Sequence, residues 1–412
     1  MMKVWTDGVE AGLLDRHGRR GSAFAYFPEA APERAVSVTM PVRLASWNAE
    51  FELAPIFEMN LPEGVLRERL RLAFAKATGS FDEFDLLAVV GRSQIGRLRY
   101  TGRDSRLDEG VPFQSVDEIL AARREGDLFR HLAEKFATFS GISGVQPKVL
   151  IRDATAAHTF GKDEGGVARS FRGATHIVKF WDRSDYPELA ANEFFCLKAA
   201  QRCGLKVPPF RLAEDGAALV IDRFDLRPDG SYRGVEDFCV LNARRTEEKY
   251  RGSYETAVMK RLADYVDTTD LPAENEKLFT LIALNCALRN GDAHLKNFAI
   301  LYERVLARAQ LAPVYDLVTT SVYLPQDNMS LTLDGTTRWP DARHLRRLGE
   351  TRMIGTPARI RDILARIADA MAETMGEIRT HRKDHPAFAE IGERMMEVWE
   401  DGMRESLREG SS

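Results

Sequence analysis

Cysteine is scarce in this chain: four in 412 residues, Cys196, Cys203, Cys239 and Cys286, none in C-x-x-C spacing. That excludes a zinc ribbon and a disulfide framework, and it suits a reduced, cytosolic protein. A long apolar run is also missing. The longest, LFTLIALNCAL from Leu278 to Leu288, is too short to span a bilayer and is interrupted by Thr280 and Asn285, so a buried helix is expected there. The amino terminus MMKVWTDGVEAGLLDRHGRR carries charge where a signal peptide needs an apolar core, so no export is expected. A basic excess is absent too: 58 Lys and Arg stand against 62 Asp and Glu, a net charge of −4. The chain as a whole therefore lacks the footprint of an autonomous nucleic-acid binder, and any DNA contact needs a local patch or a partner. No internal repeat or low-complexity tract is visible, and only REGSS at the end reads as frayed.

What is present is an ordinary globular composition, 44% hydrophobic and 29% charged. At about 150 residues per domain the length suits two or three domains. We divide it at 1–105, 106–235 and 236–412. In the first region Asp7-Gly8 separates two short extended runs, the signal of a tight hairpin. LPEGVLRERLRLAFAKAT (61–78) follows, with Pro62 near a helix start and apolar residues at 66, 70, 73 and 74 on one face. GRSQIGRL (91–98) has the glycines of a phosphate loop but not the following Lys-Ser/Thr, so a hairpin is expected instead. In the second region VLIRD, THIVKFW and ALVIDRF read as strands, GKDEGGVARSFRG (161–173) as a hairpin loop, and PELAANEFFCLKAAQRCG as a helix entered at Pro187 and stopped by Gly204. The third is mostly helical: Ile360, Ile363, Leu364, Ile367, Met371 and Ile378 make one stripe, and PAFAEIGERMMEVWEDGMRESL makes another.

The densest chemistry is NGDAHLKNF (290–298), where a buried helix gives way to Asp, His, Lys and Asn at the edge of a core. Phosphoryl transfer needs a carboxylate beside the attacking hydroxyl and an amide oxygen for magnesium; kinase loops place Asn five residues after Asp, as with Asp292 and Asn297. Alone, the pattern equally suits a turn-capping aspartate and a loop asparagine. Asp316 in APVYDLVTT adds a second carboxylate 19 residues beyond Asn297, with Tyr315 and Leu317 as expected buried neighbours. Magnesium favours such oxygen donors. Upstream, Lys179 interrupts the apolar strand THIVKFW, and Glu193 falls inside the apolar stripe of the next helix, where a carboxylate is costly unless paired. A strand lysine with a helix glutamate is the kinase arrangement for holding phosphates. Ahead of both lies FSGISGVQPKVLI (139–151), whose glycines let backbone amides cradle phosphates. Glycine loop, strand lysine, helix glutamate, the hinge-like strand ALVIDRF, an Asp/Asn loop and a metal Asp thus follow in kinase order.

Taken together, FEMNLPEGVLRERL, SGVQPK, IVKF, ANEFFCLKAAQRCGLKVPP, LVIDRFD, EDFCVLN, NGDAHLKNF and VYDLVTT resemble the HipA family of serine/threonine kinases, toxins of bacterial type II toxin–antitoxin modules. The resemblance covers nearly the whole chain. It implies a bilobal, protein-kinase-like α/β fold with a small amino-terminal accessory domain (1–105), a kinase N-lobe (106–235) and a helical C-lobe (236–412). It implies ATP and Mg2+, with Asp292 as catalytic base alongside Lys179 and Glu193, and Asn297 and Asp316 as metal ligands. Gly144, Val145, Gln146, Lys148, Lys179, Asp222, Phe224, His294 and Lys296 would bear on the nucleotide.

The implied target is a protein serine, with an aminoacyl-tRNA synthetase as substrate class. Translation and growth would be inhibited, with neutralisation by a HipB-like helix-turn-helix antitoxin through which alone operator DNA is reached. No membrane is involved. In well-known members the autophosphorylated serine lies three positions before the loop's first matched glycine. That position is Gly141 here, which leaves Ser143, directly before Gly144, and Ser140 as candidates. A phosphate on Ser143 is expected to expel the loop and switch the enzyme off. Two other readings stay open: a small-molecule kinase of the aminoglycoside-phosphotransferase type, which also spaces Asp, His and Asn as at 292, 294 and 297, and a repression partner of the antitoxin with catalysis secondary. The cluster RHLRR (343–347) is expected to be a solvated helix face rather than a DNA contact.

Overall fold

The computed structural model describes residues 1–18, 20–78, 81–122, 128–153, 171–181 and 186–408, the side chains of 75–78 excepted. The chain is mixed α/β. It divides into two compact units, one of residues 1–180, 220–246 and 301–308, the other of 181–219, 247–300 and 309–412.

The first unit opens with the expected hairpin. Strands β1 (Met2–Thr6) and β2 (Val9–His17) pair antiparallel across Asp7 and Gly8, whose φ values of 51° and 75° are those of a turn matched to strand twist. Strands β3 (Gly21–Tyr26), β4 (Trp47–Ala49) and β5 (Leu98–Gly102) complete a sheet in the order β4-β3-β2-β1-β5. Its inward residues Val4, Leu14, Phe24 and Tyr100 pack with Phe57, Leu66, Leu70 and Leu87 into one core. Leu66 and Leu70 belong to the helix Gly64–Thr78, and Leu87 to the helix Glu83–Val90, which Asp82 and Asp85 cap reciprocally.

GRSQIGRL is not a hairpin. It carries the chain from the helix Glu83–Val90 into β5, and its middle pairs with the start of the glycine loop: Ile95 N–H donates to Gly141 O at 3.3 Å and Gly141 N–H to Ser93 O at 2.9 Å. Sequence spacing shows the two glycines but not the distant partner of Ser93 and Ile95. Beyond the loop, β6 (Lys148–Ile151) and β7 (His176–Phe180) pair antiparallel, with Lys148 directly opposite Lys179. Of the expected hairpin loop at 161–173, residues 161–170 lie outside the described residues.

The second unit is mainly helical. The helix Leu189–Arg202 buries Ala190, Glu193, Phe195, Leu197 and Ala200, and the chain then turns at Gly204 in the left-handed region, φ 82°. The apolar run at 278–288 is the carboxy-terminal part of a longer helix, Leu271–Leu288, whose first turn holds Pro272. This helix lies so close to Ala389–Gly402 that a Cβ on Gly402 would come 1.9 Å from Ala287 O. All six residues of the stripe on the helix Pro357–Asp384 are buried. The helix Ala342–Thr351 buries Leu345 and Leu348 and exposes Arg343 and Arg347, the solvated face expected of RHLRR. The four cysteines are buried free thiols, and no helix among the described residues is long and apolar enough to cross a membrane.

Candidate active site

The loop after the helix Leu271–Leu288 begins with a left-handed residue, but it is Arg289 (φ 56°), not the following glycine. The buried Arg289 guanidinium makes that conformation tolerable, bonding Cys286 O at 3.3 Å, Ser406 Oγ at 3.2 Å and the Glu405 carboxylate. Gly291 is required for space: a Cβ there would lie 2.0 Å from the Asp327 carboxylate. Its N–H donates to Thr320 Oγ1 at 2.7 Å, and the Thr320 hydroxyl in turn donates to Asp327. Asn290 donates from Nδ2 to Asn285 Oδ1 at 2.7 Å and accepts the Asp292 N–H at 3.2 Å.

Asp292, half-buried, is therefore held by its own backbone. Its Oδ1 accepts the Tyr250 hydroxyl at 2.8 Å, and its carbonyl accepts the His294 N–H at 2.8 Å. The Tyr250 ring meets His294 edge-on with centroids 5.1 Å apart, and Lys249 O takes the Leu295 N–H at 3.0 Å. Burial lifts the Asp292 carboxyl above the ordinary carboxylate range. The Tyr250 hydroxyl and the Lys249 charge pull it back, while Asp316 and Asp327 add to the rise.

Five residues on, Asn297 donates from Nδ2 to Asp316 O at 3.2 Å. Its Oδ1 is then turned away, buried and without a hydrogen-bond partner. Asp316 itself adopts φ 51°, a left-handed conformation that Asp tolerates better than most residues. The expected buried neighbours differ: Leu317 is buried, whereas Tyr315 is half-buried and donates its hydroxyl to Lys296 O at 2.9 Å. The turn after Asp316 is pinned by Asn192, which exchanges two bonds with the Thr319 backbone, 2.8 and 3.0 Å, from the helix that carries the buried Glu193. Asp292, His294, Lys296, Asn297, Asp316 and this helix thus belong to one unit.

The first unit holds the remaining candidates. Lys148 and Lys179 are almost fully buried. Gln146 Nε2 donates to Phe180 O at 3.1 Å. Val145 is exposed, and Gly144 adopts φ 118°. Asp222 faces His176, with Oδ1 3.3 Å from Nε2, and Phe224 O accepts from Arg233 at 3.3 Å. The two serines differ sharply. Ser140 is fully buried, donating to Phe136 O at 2.7 Å and accepting the Leu150 N–H at 2.9 Å, whereas Ser143 is half-buried and donates to Glu63 Oε1 at 2.8 Å. At position 141 a Cβ would lie 2.4 Å from Gln94 Cγ and 2.6 Å from Ser93 O, so this loop conformation admits only glycine there.

Tyr250, Asp327, Asn192 and Glu63 escaped the sequence reading. Glu63 and Asn192 lie in the stretches FEMNLPEGVLRERL and ANEFFCLKAAQRCGLKVPP without being singled out there.

The fold and these loops define a chain with a kinase-type Asp/Asn pair on a helical scaffold. Residues 2–101 match the HipA N-terminal domain and residues 140–375 the HipA-like C-terminal domain, so the chain belongs to the HipA family. A Sinorhizobium fredii protein named "Putative kinase Y4mE" is 27% identical over 411 residues, spanning 93% of each chain. A second protein of that organism, "Putative kinase Y4dM", is 28% identical over 300 residues, 68% of this chain and 66% of its own length. Among solved structures, Shewanella oneidensis HipA, determined with HipB and operator DNA, shares the fold: the TM-score is 0.69 at 18% identity, over 98% of this chain and 97% of that one.

Proposed function

We propose that this HipA-family protein is a cytoplasmic serine/threonine kinase of a toxin–antitoxin module, transferring the γ-phosphoryl group of ATP to a protein serine. The observation that carries the reading is Asn297: a buried amide oxygen without a partner, set by the bond from its own Nδ2 to the Asp316 backbone, five residues from Asp292. Such an oxygen, with the Asp316 carboxylate, suits Mg2+, which takes few protein ligands and fills its shell with water and phosphate. Bound there, the ion would neutralise charge on the phosphates.

Asp292 accepts the proton of the attacking serine hydroxyl as oxygen bonds to the γ-phosphorus and the bond to ADP breaks. Its carboxylate is oriented by Tyr250 and by the Asn290-held backbone. Lys179, Lys148 and the amides near Gly144 bind phosphate oxygens, His294 and Lys296 shape the loop, and the Asp222–Phe224 segment lies on the adenine side. In this reading residues 1–105 are the accessory domain, 106–235 the N-lobe and 236–412 the C-lobe.

Ser143, the accessible serine, is the autophosphorylation site; Ser140, buried and bonded twice, is not. An aminoacyl-tRNA synthetase is the substrate class, growth and translation are inhibited, and a helix-turn-helix antitoxin neutralises the protein and carries it to operator DNA. Phosphoproteomics on cells briefly expressing the wild type or Asp292→Asn tests this. Serine phosphosites on one or a few proteins, absent with the variant, are expected. Phosphorylation of small hydroxyl compounds but of no protein would shift the reading to a small-molecule kinase.

A further inference from the structure

The turn at Ser143–Gly144 is built to receive an anion. The Ser143 hydroxyl and the Gly144 N–H point to one place, and the Lys148 ammonium stands beside them, so close that a Cβ on Gly144 would come 2.4 Å from Nζ. Gly144 reaches this geometry through φ 118°, a conformation that exposes a backbone donor as anion-binding turns do. Lys148 also lies directly opposite Lys179 on the neighbouring strand, so two lysines share this end of the strand pair. Two converging donors beside an ammonium suit a phosphate or a carboxylate oxygen.

The place is taken by a carboxylate of the chain itself. Glu63 Oε1 accepts the Ser143 hydroxyl at 2.8 Å and the Gly144 N–H at 3.1 Å, a single oxygen bridging both donors. Glu63 is brought there by the LPEG turn that opens the helix Gly64–Thr78, more than 70 residues upstream. The turn is fitted to the loop: Gly64 has φ 54°, and a Cβ on it would lie 2.7 Å from Val145 O. The accessory segment thus presses on the loop at 143–145 through one carboxylate and one close backbone approach.

We infer that Glu63 is a built-in competitor of the nucleotide, its carboxylate occupying the Ser143–Gly144 donors that ATP's phosphates must take. This rests on the kinase reading. It adds that the accessory segment sets nucleotide affinity, because ATP must displace Glu63 before the loop can close on its phosphates. It also gives the Ser143 hydroxyl a role in the unmodified protein, holding the competitor in place. A phosphate on Ser143 would meet the Glu63 carboxylate at hydrogen-bond distance and repel it, so the modified loop loses this anchor.

The test uses the full-length protein with Mg·ATP binding followed by calorimetry, and amide hydrogen exchange at Gly144 without nucleotide. Glu63→Gln keeps an oxygen acceptor but removes the charge, and Glu63→Ala removes both. A charge-assisted bond in a half-exposed site predicts ATP affinity about three- to tenfold tighter in Glu63→Gln and at least as tight in Glu63→Ala. Gly144 exchange should be faster in Glu63→Ala than in wild type, which reports the contact independently of any nucleotide. Unchanged or weaker ATP binding in both variants overturns the competition. If exchange at Gly144 is nonetheless accelerated in that case, Glu63 is a positive latch for the loop. Failure of wild type and variants alike to bind Mg·ATP overturns the kinase reading and this inference with it.

Discussion

In the loop at 290–297 most polar groups are answered from within one unit: Asn290 by Asn285, Gly291 by Thr320, Asp292 by Tyr250, Leu295 by Lys249 and Asn297 Nδ2 by Asp316, which leaves Asn297 Oδ1 bare. The loop at 140–147 is held differently. Its ends are anchored, by Ser140 in the core and by Gln146 on Phe180, while its middle rests on Glu63 and leaves Val145 exposed. In the function proposed above the first loop carries a base and metal ligands, which must stay within a fraction of an ångström of working geometry, and dense mutual bonding suits that role. In the same proposal the second loop covers phosphates and must open and close, which a middle held through one acidic residue would allow.

The sharpest way to break this comparison is Asp292→Asn. The amide cannot take the hydroxyl proton, so phosphoryl transfer should fall by about 10²- to 10⁴-fold while thermal unfolding is unchanged. Transfer within a few-fold of wild type would remove Asp292 from the base's role. Next, Asp316→Asn should raise the magnesium concentration for half-maximal rate by roughly 10- to 100-fold; an unaltered metal titration excludes Asp316 as a ligand.

Smaller effects separate the ends of the glycine loop from its middle. Ser140→Ala leaves the Leu150 N–H without its acceptor in a buried site and should cost about 1–3 kcal/mol of stability. Ser143→Ala should stay within about 0.5 kcal/mol. Equal costs by denaturant titration would show that the loop is anchored uniformly.

The smallest expected effect concerns Tyr250→Phe. Burial holds the Asp292 carboxyl above its usual value, and the deprotonated form is the base, so activity is lost as pH falls through that raised value. The Tyr250 hydroxyl favours the charged form. Removing it should move the acid limb of kcat/KM to higher pH, with less than about a tenfold loss at neutral pH. An unmoved limb would make Tyr250 a packing residue only.

Much of the scaffold was legible from local patterns: the Asp7-Gly8 hairpin, the strands His176–Phe180 and Ala218–Asp222, and the buried stripe at 360–378 declare themselves. GRSQIGRL was misread because its partner, Gly141, lies far along the chain and no local spacing reports it. Likewise no local spacing reports that Arg289 has the left-handed backbone or that Gly291 makes room for Asp327.

By itself the sequence determined which residues carry charge and oxygen in kinase order, and the helical and strand periods that support them, because both are properties of neighbours in the chain. The tertiary structure alone decided what each of those groups touches. Tyr250 reaches Asp292 across 42 positions, Thr319 meets Asn192 across 127, and Glu63 meets Ser143 across 80. Hydrogen bonds over such separations follow from how elements pack and leave no period in the sequence, so the orientation of Asp292, the bare oxygen of Asn297 and the occupant of the glycine loop appear only once the chain is folded.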